Sequence, residues 1–551
     1  MMFSIRCRCG VSQDISLHFR TKGCSKFSVK LFAGVTGENV QKTDERSIED
    51  LPGPHSDLQG IALAKKFFLN GLKILSFQQK INEADAGKIV LKAQLRNVEQ
   101  FGPIFRTKFM GLRAVDFVKI SNPVDVSTVL RSEGRIPIRP DSPVMEYYRK
   151  KTNKPAGIIF DNGLSWYKHR KCINERMLQP RSVADYEPAF NKIVTEFVAR
   201  LERLRGSHGL ENEIPSLEEE LFKWSFESVS LMLFDERFGA LEDQIHPEVK
   251  EFISAVNNFL QSTAHIDVQP LWLHKIFQTK MYKQFAESYD KFYEFTDKAI
   301  KRKLMKFANQ GELSQPPQGQ IQNIEFLKYL VLASDLTHED LLATYVDVYF
   351  AGVDTTATSV LWCLYELAKN PDKQLNLYQE ISSVLKPGEL VTNATLSKLP
   401  YLKACIKEVL RLYSIFFLAR VTEQDLLLSG YKIPSGTHVM ILNHAMSLSE
   451  QYFEDPLSFT PERWLRESKN PSESGRNINA FASLPFGFGT RMCIGRRVTE
   501  LEQYLLLTRL IQNYQLLDAT GETVEKTTHG LVIIPDRPIK VQFLKRKESS
   551  L

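Results

Sequence analysis

Residues 486–495 are Phe486-Gly487-Phe488-Gly489-Thr490-Arg491-Met492-Cys493-Ile494-Gly495, so one cysteine follows a glycine-rich turn and precedes an apolar-periodic run to Leu510. The periodicity predicts a helix with Cys493 at its N-terminus. There the helix dipole and the free backbone N–H groups favour the thiolate, the form of cysteine that binds a metal. Gly487 and Gly489 permit backbone conformations closed to other residues and a close approach to a flat ring. The alternative is a small buried cysteine in a turn.

The ten residues match the pattern F-x-x-G-x-R-x-C-x-G, and the chain thereby resembles the cytochrome P-450 haem-thiolate monooxygenases. The resemblance implies a b-type haem whose iron is held by the Cys493 thiolate, with Phe486 and Arg491 beside the cofactor. A thiolate ligand donates electron density to the iron and favours cleavage of the O–O bond.

The fold that the resemblance implies is mainly α with small β-sheets, in a single large haem-binding domain. Short alternating stretches at 105–109, 439–442 and 531–543 predict strands of those sheets. The motifs along the chain must meet around one cofactor, and they therefore override the length-based expectation of several domains.

A second motif, Ala351-Gly352-Val353-Asp354-Thr355-Thr356, lies within an apolar-periodic run at 341–367. The run predicts a long helix. Thr337 followed by Asp340 resembles a capping box at its start, and Asn370-Pro371 supplies its end.

Gly352 in the interior of this helix costs about 1 kcal/mol relative to alanine. Neighbouring hydroxyls can compete for backbone carbonyls and open the helix locally. Such a cost points to a functional site. In the resembling family the helix is kinked over the haem and an acid–alcohol pair relays protons, which implies catalytic roles for Asp354 and Thr355. A Thr-rich turn in a buried helix is the alternative interpretation.

Three further residues are expected to be structural. Glu408 and Arg411 lie three positions apart and form a plausible ion pair on one helical face. Pro461-Glu462-Arg463-Trp464 resembles the family segment whose arginine joins that pair in a buried network behind the haem. The resemblance therefore implies a charge triad of Glu408, Arg411 and Arg463.

Haem carries two propionates, and arginine is their natural partner because its planar fork grips a carboxylate. Trp166 and Arg170 match the family pattern W-x-x-x-R. Arg491 and Arg420 match two other positions that contact propionates in the family. The resemblance implies that these four side chains bind the cofactor.

The N-terminus predicts the compartment. Residues 1–36 hold six basic residues against one acid, with no apolar run long enough to span a bilayer. This composition resembles a mitochondrial transit peptide, with the catalytic domain at 37–551; a disordered basic tail is the alternative. Leu51-Pro52-Gly53-Pro54 matches the proline-rich start of the folded domain in the family. Without residues 1–36 the chain is nearly neutral, which argues against nucleic-acid binding.

No flavin or nicotinamide fingerprint occurs, so the electrons must come from a partner. In mitochondrial members of the family, two basic residues on the Glu-Arg helix receive an acidic ferredoxin, which an NADPH-dependent reductase reduces. Lys403 and Lys407 have that i, i+4 spacing, and Arg496-Arg497 follow the cysteine as in the mitochondrial pattern. Together they predict a basic docking surface. Solvated helix lysines are the alternative.

Peripheral contact with the matrix side of the inner membrane is also expected. Apolar residues at 271–277 are interleaved with Lys275, Lys280 and Lys283, a pattern typical of a membrane interface. A helix packed on the core is the competing interpretation.

From about residue 50 onward the chain most resembles mitochondrial sterol side-chain and vitamin D hydroxylases, which implies hydroxylation of a sterol-like substrate. Apolar side chains at 136–159, around Val348, at 415–418 and at 531–533 are expected to contact it. Relatives carry prolines in the stretch 413–420 that are missing here. Phe416 and Phe417 could narrow the pocket, so another lipid or xenobiotic, such as a retinoid or fatty acid, stays open. So do a haem-thiolate isomerase or dehydratase and a non-catalytic haem- or lipid-binding protein.

Overall fold

The computed structural model describes residues 46–54, 83–109, 115–206, 211–266, 271–311, 325–415, 417–465, 478–529 and 532–546. Residues 46–551 form one compact unit. The predicted transit peptide at 1–36 lies outside the described residues, and so does Phe416.

The helix His338–Lys369 lies at the centre of the molecule, and most of its side chains are buried. Its start is a capping box, because the N–H of Asp340 donates to Thr337 Oγ1 at 3.1 Å and the N–H of Thr337 donates to Asp340 Oδ2 at 3.0 Å. Asn370 ends the helix, and Pro371 begins the next one. The predicted helix, its cap and its end are confirmed.

Helices make up most of the described chain. In chain order they are α1 Glu83–Phe101, α2 Pro123–Arg131, α3 Pro143–Thr152, α4 Gly163–Leu178, α5 Pro180–Ala184, α6 Glu187–Leu204, α7 Leu217–Phe234, α8 Pro247–Ile266, α9 Leu271–Phe277, α10 Lys280–Asn309, α11 Phe326–Ala333, α12 His338–Lys369, α13 Pro371–Val384, α14 Asn393–Leu396, α15 Pro400–Leu412, α16 Asn443–Ser447 and α17 Arg496–Asn513. Short 3-10 helices span Ile48–Asp50 and Pro461–Trp464. Among the described residues, no helix is both long enough and apolar enough to cross a bilayer.

The strands are short and form small sheets. They are β1 Arg46–Ser47, β2 Ile104–Phe109, β3 Val115–Ile120, β4 Leu418–Val421, β5 Leu426–Leu428, β6 Tyr431–Ile433, β7 His438–Ile441, β8 Tyr514–Asp518, β9 Lys526–His529, β10 Val532–Pro535 and β11 Val541–Lys545. Among them, β2-β3-β7-β4 form a mixed sheet, β1-β6-β5 a second, and β9–β10 and β8–β11 antiparallel pairs. The mainly α fold with small sheets is confirmed.

Helix α7 packs closely against α12. Tyr349 donates to Ser230 Oγ at 3.0 Å, and Ser225 Oγ donates to the carbonyl of Gly352 at 3.2 Å. A Cβ on Gly352 would lie 3.0 Å from Val229 Cγ2. Helix α12 is continuous across Gly352, without the predicted opening. A larger residue at position 352 would therefore require the Val229 side chain to shift by a few tenths of an ångström.

Candidate active site

The turn before α17 holds Cys493. Gly487 and Gly489 have φ angles of 69° and 74°, a left-handed conformation that is strained for other residues. The turn closes on itself, since the N–H of Cys493 donates to the carbonyl of Phe486 at 2.8 Å. Helix α17 begins at Arg496, two residues later than the periodicity predicted, so Cys493 lies just before its first turn. Although it is enclosed by this turn, the Cys493 side chain is solvent-accessible.

The electrostatic environment of Cys493 acts in two directions. The protein atoms packed around the accessible sulfur partly desolvate it and raise the pKa of the thiol, whereas the backbone N–H groups of Gly495 and Arg496 and the guanidinium groups of Arg170 and Arg139 lower it. Desolvation is the larger effect. A coordinated metal reverses this balance, because a coordinating thiol is deprotonated outright.

Arg491 is buried and held by the segment that precedes α4. Its Nε donates to the carbonyl of Pro137 at 2.9 Å, and its Nη2 donates to Asn162 Oδ1 at 2.7 Å. The guanidinium carbon lies 3.8 Å from the centroid of a Trp166 ring that is almost completely buried. Trp166 therefore stacks on Arg491 and fixes the plane of its guanidinium group.

Arg491 belongs to a cluster with Arg139, Arg170 and Arg420. Burial and the positive charges of Arg139 and Arg420 together lower the pKa of Arg491 to about 9. Burial likewise lowers the pKa of Arg139 and of Arg170 to about 10 each. Glu133 pairs with Arg420, which leaves the cluster with an excess of positive charge.

The unpaired donors of this cluster fit a cofactor with two carboxylates. No acceptor among the described residues lies within hydrogen-bond distance of Arg170 Nε, Arg420 Nη2 or Arg491 Nη1, although all three atoms are buried. A buried donor without a partner costs about 1–3 kcal/mol. The propionates of haem would satisfy these donors and neutralise the excess charge. The cluster and Cys493 together supply what haem requires from the protein.

Asp354 and Thr355 lie near the middle of α12. Burial, with a smaller contribution from the negative charge of Glu218, raises the pKa of the Asp354 carboxyl to about 7. Thr355 Oγ1 donates to the carbonyl of Ala351 at 2.6 Å, as expected of a hydroxyl that competes for helix carbonyls. Thr355 is accessible, whereas the next residue, Thr356, is fully buried. This pair therefore combines an acid that titrates near neutral pH with an accessible alcohol.

Glu408, Arg411 and Arg463 form one network. Arg411 donates to both carboxylate oxygens of Glu408, from Nε at 2.9 Å and from Nη2 at 2.6 Å, and both side chains are fully buried. Arg463 Nε donates to Glu408 Oε1 at 2.9 Å. The Trp464 indole donates to Oε2 at 2.8 Å, and the N–H of Thr460 donates to Oε1 at 3.1 Å. Five donors thus satisfy one carboxylate.

The four predicted docking residues lie on α15 and α17. Burial lowers the pKa of Lys407, and the positive charge of Arg496 lowers it further, which shows that the two helices bring their cations close together. The Lys407 ammonium lies 3.9 Å from the centroid of the Trp464 ring, and Arg496 pairs with Glu500. Lys403 and Arg497 have no ion-pair partner among the described residues.

Three contributors to the site were not predicted from sequence. Arg139 joins the arginine cluster and donates to the carbonyl of Arg491 at 2.8 Å. Asn162 accepts a hydrogen bond from Arg491, and Trp464 donates a hydrogen bond to the Glu408 carboxylate. Arg139 and Asn162 lie in irregular segments and belong to no motif. The only signal for Trp464 is its position directly after Arg463.

The cysteine, the arginine cluster and the pair of Asp354 and Thr355 match the groups expected of a haem-thiolate enzyme, and the comparisons with known proteins agree with that class. The family model described as Cytochrome P450 matches residues 73–543. The mitochondrial sterol 26-hydroxylase of Rattus norvegicus is 30% identical over 91% of this chain and 90% of its own length. The mitochondrial 1,25-dihydroxyvitamin D(3) 24-hydroxylase of Rattus norvegicus is 32% identical over the same shares.

A crystal structure of the haem domain of cytochrome P450DA aligns with a TM-score of 0.66 at 19% identity, covering 86% of this chain and 94% of that one. This chain belongs to the cytochrome P450 family. It is a haem-thiolate monooxygenase, and the two hydroxylases of Rattus norvegicus named above are mitochondrial enzymes.

Proposed function

We propose that this enzyme hydroxylates a sterol or a vitamin D-like secosteroid in mitochondria. The observation that carries the proposal is its similarity to sterol and vitamin D hydroxylases over nine tenths of the chain. Haem, when bound, supplies oxygen activation. In this proposal Cys493 holds the cofactor, and Trp166, Arg170, Arg420, Arg491 and Phe486 position it. Asp354 and Thr355 move protons to the reaction site.

The side chains near the proposed substrate differ in accessibility. Ile415, Phe417 and Leu418 are partly accessible, and Phe417 packs against Phe105 and Met440. Val348 and Ile533 were predicted to contact the substrate, but both are buried among core side chains. The carbonyl of Ile533 also accepts a hydrogen bond from Trp362 Nε1 at 3.1 Å. These two residues therefore act through packing, and the segment 415–418 is the better candidate for substrate contact.

Titration of the ferric enzyme with hydrophobic ligands tests the substrate class. Sterols, secosteroids, retinoids and fatty acids are added in turn, and the Soret band reports the spin state of the iron. We expect a saturable shift to high spin with sterols or secosteroids, because a substrate that binds beside the haem would displace water from the iron. A shift with retinoids or fatty acids alone would be consistent with a monooxygenase but would contradict the assignment of a sterol as the substrate. Phe417→Ala should change the apparent Kd, whereas Leu427→Ala, an exposed apolar position, should not.

We further propose that the electrons come from an acidic mitochondrial ferredoxin that docks on α15 and α17. The supporting observation is that α15 and α17 each carry two of these cations and that the Arg496 guanidinium lies 5.5 Å from the ring centroid of Phe486 in the cysteine turn. Lys403 and Arg497 are the members of this surface that remain available for a partner. Lys407 is exposed as well, and its ammonium lies over the Trp464 ring.

Charge reversal at Lys403 and Arg497 should slow electron delivery. In Lys403→Glu/Arg497→Glu we expect ferredoxin-driven turnover at low salt to fall by about 10-fold or more, since steering contributes about 10–10³-fold to association. Turnover driven by added peroxide should be unaffected, because it bypasses the partner. Lys540→Glu, at an exposed lysine in the connection between β10 and β11, is the control. Unchanged ferredoxin-driven turnover in the double variant would exclude this docking surface.

The proposed location is the matrix side of the inner mitochondrial membrane, with peripheral contact through α9. This part of the proposal rests on the exposed apolar face of that helix and on the mitochondrial relatives. The transit peptide at 1–36 and the domain boundary at 37 remain predictions from sequence.

A further inference from the structure

Glu133 is the carboxylate that contacts the arginine cluster. It follows α2 in the chain, and its Oε1 accepts a hydrogen bond from Arg420 Nε on β4. Among the described residues, it is the only carboxylate ion-paired with a member of the cluster of Arg139, Arg170, Arg420 and Arg491. The Glu133 and Arg420 side chains are 9% and 2% exposed, so salt and water screen this pair weakly.

The ion pair fixes the orientation of the Arg420 guanidinium group. Nε donates to Glu133, and Nη1 donates to the carbonyl of Ala419 at 2.9 Å. The third nitrogen, Nη2, is buried and has no acceptor among the described residues. Two nitrogens are therefore held by the protein, and Glu133 helps to determine which donor is left for the cofactor.

The second oxygen of Glu133 lies beside the cysteine turn. A Cβ at Gly489 would be 3.2 Å from Glu133 Oε2, and Gly489 precedes Cys493 by four residues. Glu133 Oε2 is buried, and it accepts no hydrogen bond from any residue that the structure describes. The carboxylate is therefore in contact with both Arg420 and the turn that carries the cysteine.

The surroundings of Glu133 leave its charge poorly hydrated. Burial raises the pKa of this carboxyl, the positive charges of Arg420 and Arg139 lower it, and the negative charge of Glu423 raises it. Burial is the largest of these effects, and the pKa is raised overall. A charge that is removed from water in this way acts more strongly on its neighbours than a hydrated one.

Reduction of ferric to ferrous iron adds one electron to the cofactor, and a nearby carboxylate opposes that addition. We propose that Glu133 is a positioning residue for haem, which orients Arg420 toward the cofactor and lowers the reduction potential of the iron through its own charge beside the cysteine turn. The proposal rests on the placement of Arg420 at the cofactor. It does not depend on which substrate the enzyme hydroxylates.

The equilibrium constant for reduction of the haem-loaded full chain tests the proposal. It is measured spectroscopically against a dye of known potential. In Glu133→Gln the amide oxygen can still accept from Arg420, but the charge is lost. We expect the constant to rise on the order of 10-fold, as for one partly buried charge at an effective dielectric constant of about 20. Glu133→Asp keeps the charge and should stay closer to the parent enzyme.

Glu423→Gln is the matched control. It removes the same charge from an exposed neighbouring carboxylate, whose Oε2 accepts from the N–H of Gly134 at 3.1 Å. Because solvent screens this charge, the constant should change much less than in Glu133→Gln. An unchanged constant in Glu133→Gln, or an equal rise in Glu423→Gln, overturns the proposal.

A second comparison applies if Glu133→Gln does not take up haem. Glu133→Gln/Arg420→Gln removes both charges and leaves no unpaired ion. Its constant should exceed that of Arg420→Gln, because the two proteins differ only in the Glu133 charge. Equal constants would exclude the electrostatic role.

The positioning role has its own measurement, the rate of haem transfer to apomyoglobin. Glu133→Ala removes the acceptor that orients Arg420 and should release haem faster than Glu133→Gln, which retains an acceptor. Equal rates for these two variants would contradict the positioning role.

Discussion

Thr355→Ala should separate electron consumption from product formation. We expect the hydroxylated product formed per electron pair to fall on the order of 10²-fold, the lower end of what a positioned proton-transfer group contributes. Hydrogen peroxide should account for the lost electrons. The measurement compares product, peroxide and NADPH consumed in the reconstituted enzyme. A haem-thiolate isomerase needs no external electrons and would be indifferent to the substitution.

The neighbouring threonine provides a control at nearly the same place. Thr356 is fully buried and contacts Thr499 Oγ1 on α17 at 3.2 Å, so Thr356→Ala loses a structural hydrogen bond without changing the accessible hydroxyl. In Thr356→Ala, product formation should remain coupled to electron consumption. Thr355→Ser keeps the hydroxyl and should restore coupling. If Thr355→Ala and Thr356→Ala are equally uncoupled, the alcohol at position 355 has no special role.

Asp354→Asn examines the acid half of the same pair. The pKa of Asp354 is raised by burial from 3.8 to about 7, so the folded protein binds a proton that the unfolded chain has already released between these values. Folding stability therefore falls as the pH rises through this window. Asp354→Asn should raise the free energy of unfolding at alkaline pH, and the difference should close toward acid pH. Parallel stability curves for the two proteins would contradict the raised pKa.

Glu408→Gln should destabilise the protein by about 3–5 kcal/mol, because it leaves two guanidinium groups in the interior without their carboxylate. Arg411 is fully buried, and its remaining acceptors are backbone carbonyls, among them those of Ser447 and Pro456, each at 2.7 Å. Carbonyls satisfy the donors but do not neutralise the charge. The denaturation midpoint and the fraction of protein that retains haem are the measurements.

Two further variants keep this prediction testable if Glu408→Gln does not fold. Trp464→Phe removes one neutral donor from the same carboxylate and should cost about 1 kcal/mol. Glu146→Gln breaks an exposed pair with Lys150 and should cost less than about 1 kcal/mol. If all three variants lower the free energy of unfolding by the same amount, burial of the Glu408 network does not determine how much it stabilises the protein.

Local sequence rules predicted the elements that depend on neighbouring residues. The capping box of Thr337 and Asp340, the end of α12 at Asn370 and the position of Cys493 before a helix all depend on contacts within a few residues. The family resemblance predicted Arg463 as a partner for Glu408, which no local rule would give. For this reason the motif-bearing parts of the site could be predicted from the amino-acid sequence.

Features that depend on distant packing could not be predicted in this way. From the sequence, Gly352 was interpreted as a cost to helix stability that marks a functional site. In the structure, Val229 of another helix packs close to the place that a Cβ at position 352 would occupy. Arg139 is 352 residues from Arg491 in sequence, and only the fold brings their charges together. The exposure of Ile276 and Phe277 depends on how His274 is buried, and the periodicity of a seven-residue helix does not contain that information.

The Glu408 network also has a consequence for the order of folding. Glu408 and Trp464 are 56 positions apart, so their hydrogen bond closes a loop that contains β4, β5, β6 and β7. Closing a loop of this length costs chain entropy, and that cost falls once the intervening strands have paired. The donors from Thr460, Arg463 and Trp464 are therefore acquired late, whereas Arg411 is already available on the same helix. A strand paired out of register would leave the buried Glu408 carboxylate with Arg411 alone, which would penalise misfolding of the segment between them.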